Sequence, residues 1–168
     1  MLSIRHEHNE DIGVVYRVNA AAFPTETEAR LVDSLRANGK AIVSLVAEED
    51  GRVAGHILFS PVTVAGTDSC GIGLAPLAVL PAYRNRGIGA RLVNEGLAAC
   101  REAGYGFAVV LGEPEYYRRF GFTRASERGL DNEYGVDSPF MVLELHPGTL
   151  PPHGGMVKYA PEFADLGS

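Results

Sequence analysis

Apolar and polar residues alternate across residues 2–5, which predicts a short opening strand. Ile12, Val15, Tyr16 and Ala20 then recur at helical spacing until Phe23-Pro24-Thr25 interrupts them. A second helix is expected from about Thr25, with Glu28 three residues on as in a capping box. Ala29, Leu31, Val32 and Leu35 form its apolar stripe, and Asn38-Gly39 stops it. The period then shortens. Residues 42–48 read as a strand, Asp50-Gly51 as a hairpin turn, and 53–60 as the return strand. Residues 65–71 form a loop or a second hairpin tip, and 74–79 an apolar run of strand length. Ile88, Leu92, Val93, Leu97 and Cys100 mark a long helix over about 86–103, closed by Gly104. Residues 107–111 suit a buried strand, 115–120 a short helix, and 140–145 a last strand.

Hairpins first and a strand–helix–strand crossover later imply a mixed sheet in an α/β or α+β domain. Residues 1–146 carry this pattern. Residues 147–168, with Pro147, Pro151, Pro152 and Pro161, are expected to be an irregular tail packed on the same domain.

Hydrophobic residues make up 46% of the 168, enough for one core. The 15 basic and 21 acidic side chains give a net charge of -6, which argues against a non-specific nucleic-acid binder. Cys70 and Cys100 have no metal-ligand spacing and read as free thiols. The first ten residues are charged and lack the apolar run of a secretory signal, and no stretch approaches the length of a membrane span. A cytoplasmic protein without membrane attachment is expected. His6, His8, His146 and His153 form no spaced ligand set, so no metal site is expected.

The chemistry concentrates at Arg84-Asn85-Arg86-Gly87-Ile88-Gly89, between a strand and a helix start. The first amides of a helix have no acceptor within it, and the helix dipole adds partial positive charge there. Glycines let backbone approach a ligand closely, and Arg84 and Arg86 add formal charge. This is a recipe for a phosphate or pyrophosphate site, although the same glycines would also suit plain close packing. No Gly-Lys-Ser/Thr follows, so this is not a Walker A loop. The third glycine of a dinucleotide fingerprint is replaced by Leu92.

The run Leu77-Ala78-Val79-x-Pro81-x-Tyr83-Arg84-x-x-Gly87-x-Gly89 resembles the coenzyme-A signature of the GCN5-related N-acetyltransferase (GNAT) superfamily. Further on, Tyr116-Tyr117-Arg118-Arg119-Phe120-Gly121-Phe122 resembles that family's Tyr-x-x-x-Gly-Phe segment, with room for a helix and a strand between the two blocks. The tail from Gly154 to Phe163 resembles the ending of a bacterial branch of the superfamily.

The resemblance implies a mixed, mostly antiparallel sheet with helices on both faces and two central strands that splay. It also implies acetyl-coenzyme A as co-substrate. Leu77, Ala78 and Val79 would run along the pantetheine arm, and an amide near Leu77 would polarise the thioester. Asn85, Arg86, Gly87, Ile88, Gly89 and Ala90, with Arg84, would hold the pyrophosphate. Tyr117 matches the general acid for the departing thiolate, or else an aromatic wall of the cofactor slot. Glu113 is the first candidate for the base that takes the proton of the amine, although Pro114 also suits a plain helix-start carboxylate. Glu28 and His56 are lesser candidates, with capping and structural roles as the simpler explanations. Glu113-Pro114-Glu115 departs from the family, where many members carry an Asn and a longer helix.

The function implied is acetyl transfer to a small-molecule or peptide amine by direct attack in a ternary complex. A non-catalytic acyl-coenzyme A sensor or scaffold is the alternative. A homodimer through the late strands follows by analogy. The acceptor pocket is expected from residues 23–36, 65–71 and 129–138. Asp131, Glu133 and Asp137 in the last would favour a cationic amine if they line it, and are otherwise a solvated acidic loop.

Overall fold

The structure is a computed structural model that describes residues 1–167. The chain divides into two compact units. One comprises Met1–Phe59, Ala75–Gly96 and the segment from Pro161; the other comprises Ser60–Leu74 and Leu97–Ala160.

The first unit opens with strand β1 (Leu2–His6), helix α1 (Ile12–Ala22) and helix α2 (Thr27–Ala37). Strands β2 (Val43–Glu49) and β3 (Arg52–Val64) follow. β1 pairs with β2, and β2 with β3, both antiparallel. Asp50 and Gly51, at φ 50° and 80°, turn β2 into β3. Positive φ at both central residues matches the strand twist in a two-residue hairpin, so the Asp-Gly signal gave the right turn. Val15, Val18, Leu35, Val46, Ile57 and Leu58 are all buried.

Helix α2 begins two residues later than expected. Its N-cap is Glu26, with no side-chain cap bond, and Arg30 N–H donates to the Glu26 carbonyl at 2.9 Å. The capping box expected of Thr25 and Glu28 is not formed. Thr25 Oγ1 instead accepts from the Thr27 N–H at 3.3 Å, so a local turn takes the hydroxyl that the box required.

Strand β4 (Gly71–Val79) and helix α3 (Ile88–Glu102) run from one unit into the other. The second unit adds β5 (Phe107–Leu111), helix α4 (Pro114–Arg118), β6 (Thr123–Arg124), β7 (Leu130–Asn132), β8 (Phe140–Glu144) and β9 (Gly155–Lys158). β5 pairs with β4 in parallel and with β8 in antiparallel, which explains why its sequence reads as a continuous apolar run. β6 lies antiparallel to β8. The β4/β5 ladder runs from Gly71↔Phe107 to Leu74↔Val110. β4 continues past it through Pro76, which has no N–H to give a neighbour.

The tail is more regular than expected. β9 pairs antiparallel with β3 and parallel with β7, and a 3-10 helix spans Pro161–Gly167. Four residues between glycine and proline carry too little periodicity to announce a strand; partners distant in sequence supply the pairing. The fold is a mixed α/β one with mostly antiparallel strand pairs, as the sequence implies.

In the first unit, Arg5 bonds Asp11 through Nη1 (2.7 Å) and Nη2 (3.0 Å), and Glu48 through Nε (2.9 Å). The guanidinium, helped by the His8 amide, holds the Asp11 carboxyl down to about 2, below its ordinary 3.8. A depressed folded-state value stabilises above about pH 4, and the gain is lost as pH falls toward 2. Asp11→Asn is expected to lower the unfolding free energy by about 1–2 kcal/mol at pH 7. In urea titrations the gap from the parent protein should close as the pH is lowered through that window.

Candidate functional site

The turn after β4 lies wholly in the first unit. A 3-10 turn at Pro81–Tyr83 leaves β4, and Arg84 is extended at φ -70°, ψ 158°. Asn85 and Gly87 follow at φ 64° and 80°, and α3 starts at Ile88. Asn tolerates the left-handed region better than most residues, and Gly enters it freely. A Cβ on Gly87 would find no atom within 4 Å, so glycine is needed there for its backbone angle and not for space. Left-handed residues spaced this way curl successive N–H groups into an anion-binding concavity.

Arg91 N–H donates to the Gly87 carbonyl at 3.1 Å, which starts the helix. The amides of Ile88, Gly89 and Ala90 therefore precede its first internal bonds. Ile88 is buried, while Asn85, Arg86 and Gly87 are exposed, so the turn is anchored at one residue and open at its rim. The Arg86 guanidinium lies 5.2 Å from the Tyr83 ring centroid, a cation–π contact that steadies it. Ala78 is buried between half-buried Leu77 and Val79.

Arg84, expected at the phosphate, also bonds two backbone carbonyls of the fold. Its Nη2 donates to the carbonyl of Ala22, the last residue of α1, at 2.9 Å, and its Nε to the carbonyl of Val79 at 3.3 Å. It ties the end of α1 to the end of β4. No pattern along the chain reveals a contact between residues so far apart.

The second unit holds Tyr117 and Glu113. The Tyr117 ring lies on Gly112, where a Cβ would overlap its Cε2. It meets Tyr116 and Phe122 edge-on at 5.1 and 5.7 Å. Of the two neighbouring tyrosines, Tyr117 is the buried one; Tyr116 is half-buried under Arg119, 4.6 Å from its ring centroid. Burial pushes the Tyr117 phenol up to about 12, so it stays protonated at neutral pH. Glu113 is exposed at the end of β5 and stands at the N-cap of α4, the helix-start position expected as the simpler role, without a side-chain cap bond.

Tyr159 was not singled out as a site residue by the sequence. Its buried ring sits where a Gly73 side chain would be, 2.8 Å from a Cβ there, and burial first, with Tyr134, Glu133 and Tyr117 nearby, pushes its phenol up. The signal available was its place in the tail block that resembles a branch of the family.

His56 is structural. It is fully buried, with Nδ1 3.1 Å from Asn19 Nδ2 and Nε2 2.9 Å from Ser44 Oγ. Asn19 Nδ2 also donates to the Val15 carbonyl, so Nδ1 accepts and Nε2–H donates to Ser44. Burial, with the Arg36 charge, pushes the imidazole down to about 3 and keeps it neutral. Two of the three loop carboxylates have partners in the fold. Glu133 accepts from the Tyr159 N–H at 3.0 Å, and Asp137 from the Ser126 hydroxyl at 2.7 Å.

Cys70 is exposed and Cys100 buried, both as free thiols. Among the described residues there is no group of three or more His, Cys, Asp or Glu suited to a metal, and no helix long and apolar enough to cross a membrane.

The turn with left-handed Asn85 and Gly87 thus joins the end of β4 to an open helix start. The chain belongs to the acetyltransferase (GNAT) family, which residues 4–122 match. It is 42% identical over 144 residues to an uncharacterised N-acetyltransferase, YhbS, of Escherichia coli (strain K12), covering 84% of this chain and 86% of that one. The crystal structure of Escherichia coli YhbS in complex with CoA superposes with a TM-score of 0.92 at 38% identity, over 96% of this chain and 91% of the other. A GNAT family acetyltransferase from Brucella melitensis in complex with acetyl-CoA gives a TM-score of 0.82 at 39% identity, over 97% and 98%.

Gly112→Ala would drive a methyl group into the Tyr117 ring. It is expected to cost about 1–3 kcal/mol of unfolding free energy in urea titration. A loss under about 0.5 kcal/mol would mean that the ring is not held by that contact.

Proposed function

We propose that the protein transfers the acetyl group of acetyl-coenzyme A to the amine of a small molecule or peptide, by direct attack while both are bound. The observation that carries this reading is the turn with left-handed Asn85 and Gly87 before the open start of α3. It suits a pyrophosphate, because several N–H groups and a helix dipole converge where charge must be met. The amides of Asn85 to Ala90 hold that pyrophosphate. Leu77, Ala78 and Val79 lend their backbone to the pantetheine arm, and an amide near Leu77 polarises the thioester carbonyl and steadies the oxyanion.

Tyr117 serves the leaving group. With its phenol at about 12, full transfer of its proton to a thiolate, whose ordinary value is about 8.5, runs uphill. The phenol therefore keeps its proton and donates a hydrogen bond to the departing sulfur, which leaves as a thiolate. Glu113, exposed at the end of β5, takes the proton of the amine directly or through water. Bond making and breaking then balance: the nitrogen gains the acetyl carbon, and the sulfur leaves with the C–S electron pair.

Thiol release from acetyl-coenzyme A across a panel of amines, with mass detection of the acetylated product, tests this reading. Coenzyme A binding without turnover across a broad panel would favour a sensor. Binding of ATP or NAD without competition by coenzyme A would remove the reading altogether. Tyr117→Phe is expected to lower kcat by about ten- to a hundredfold while coenzyme A affinity holds. An unchanged kcat would reduce Tyr117 to a wall of the cofactor slot.

A further inference from the structure

In the second unit two tyrosines far apart in sequence stand on two glycines near the end of one ladder. The β4/β5 pairing closes at Leu74↔Val110. Gly73 comes just before that last rung on β4, and Gly112 follows β5 just after it. The Tyr117 ring covers Gly112, and the Tyr159 ring covers Gly73, 2.8 Å from where a Cβ would stand. A side chain at either glycine would push its tyrosine aside, so both rings are seated on bare backbone.

The tail brings Tyr159 to this place. β9 pairs Lys158 with Thr63 of β3 and Val157 with Asn132 of β7. The Tyr159 N–H then donates to Glu133 Oε1 at 3.0 Å, and the Tyr134 ring lies 6.0 Å from its own, tilted by 53°. Backbone and ring are therefore both held. Burial first, then Tyr134, Glu133 and Tyr117, push the Tyr159 phenol up, so the two buried phenols stand within electrostatic reach of each other. Tyr117 needs such a neighbour. Its ring partners Tyr116, Phe120 and Phe122 all come from α4 or the residues directly after it. A helix of five residues is held by its surroundings more than by its own hydrogen bonds.

We infer that Tyr159 is a positioning residue for Tyr117: its ring, fixed on β4, bounds the space into which the Tyr117 phenol can swing and keeps the hydroxyl aimed at the departing sulfur. This assignment rests on the acetyl-transfer reading, in which Tyr117 donates to that sulfur. A hydrogen bond weakens steeply as its angle bends, so a small rotation of the Tyr117 ring would forfeit it. Tyr159 itself touches neither substrate nor cofactor in this assignment. It lies beyond the two blocks that carry the coenzyme-A and Tyr-x-x-x-Gly-Phe patterns, and it makes the tail a working part of the site.

The experiment uses Tyr159→Leu and Tyr159→Phe in the full chain, each alone and combined with Tyr117→Phe. It measures steady-state kinetics with an amine from the panel above, alongside coenzyme A binding and thermal midpoints. Tyr159→Leu is expected to lower kcat about tenfold or more, with coenzyme A affinity unchanged. Tyr159→Phe keeps the ring and should keep kcat near that of the parent. In the Tyr117→Phe background, Tyr159→Leu should lower kcat no further, because nothing is left to position. A residue with a merely structural role would lower kcat by the same factor in both backgrounds. That outcome, or an unchanged kcat in Tyr159→Leu, overturns the assignment, and so does an equal loss in Tyr159→Phe, which would move the role to the hydroxyl. Should Tyr159→Leu fail to fold, Gly73→Ala displaces the ring without removing it and is judged by the same cycle. A kcat unchanged in Tyr117→Phe alone removes the role of Tyr117, and this inference with it. A parent protein that binds coenzyme A yet acetylates no amine overturns the acetyl-transfer reading itself, and both assignments fall.

Discussion

The N–H groups at the start of α3 cannot be paired inside their own helix, because the carbonyls four positions before them lie outside it. Most helices answer with a side-chain oxygen at the cap. Here the residue before Ile88 is Gly87, which has no side chain to offer. It takes a left-handed angle, as Asn85 does. The rest of the arrangement serves this opening. Buried Ile88, Leu92 and Val93 hold the helix in place, and β4 delivers the chain to it. Donors left unsatisfied in a rigid frame suit an anion.

The same question of satisfaction separates the buried polar groups of the first unit. His56 has a partner at each nitrogen, and the two-donor Asn19 amide settles which nitrogen carries the proton. Such a group is finished, and burial holds it neutral. Glu28 is unfinished, with an enclosed oxygen that nothing in the described chain serves. A satisfied buried group helps to specify the fold, whereas an unsatisfied one is costly where it stands.

Burial also changes what Tyr117 can do. A phenol in water sits within reach of thiol acidity, but one pressed against Gly112 and ringed by Tyr116 and Phe122 does not. Its raised value suits hydrogen-bond donation more than proton release. The matching block around Tyr117 in the sequence named the residue; its surroundings set the acidity of its phenol.

Local and periodic features were legible along the chain. The Asp50-Gly51 hairpin, the α1, α2 and α3 stripes, the buried β5 run and the Gly87-x-Gly89 turn all rest on interactions between residues a few positions apart. The family followed from two blocks in order. The sequence could not announce β9, whose short segment becomes a strand through β3 and β7. Nor could it assign Arg84, which finds its acceptors in Ala22 and Val79, or the failure of the Thr25–Glu28 box, which a nearer hydrogen bond outcompeted. Spacing along the chain decides which residues a helix or turn brings together. Only the folded chain decides which donors and acceptors remain for distant partners, because each group bonds the neighbour that tertiary packing delivers to it.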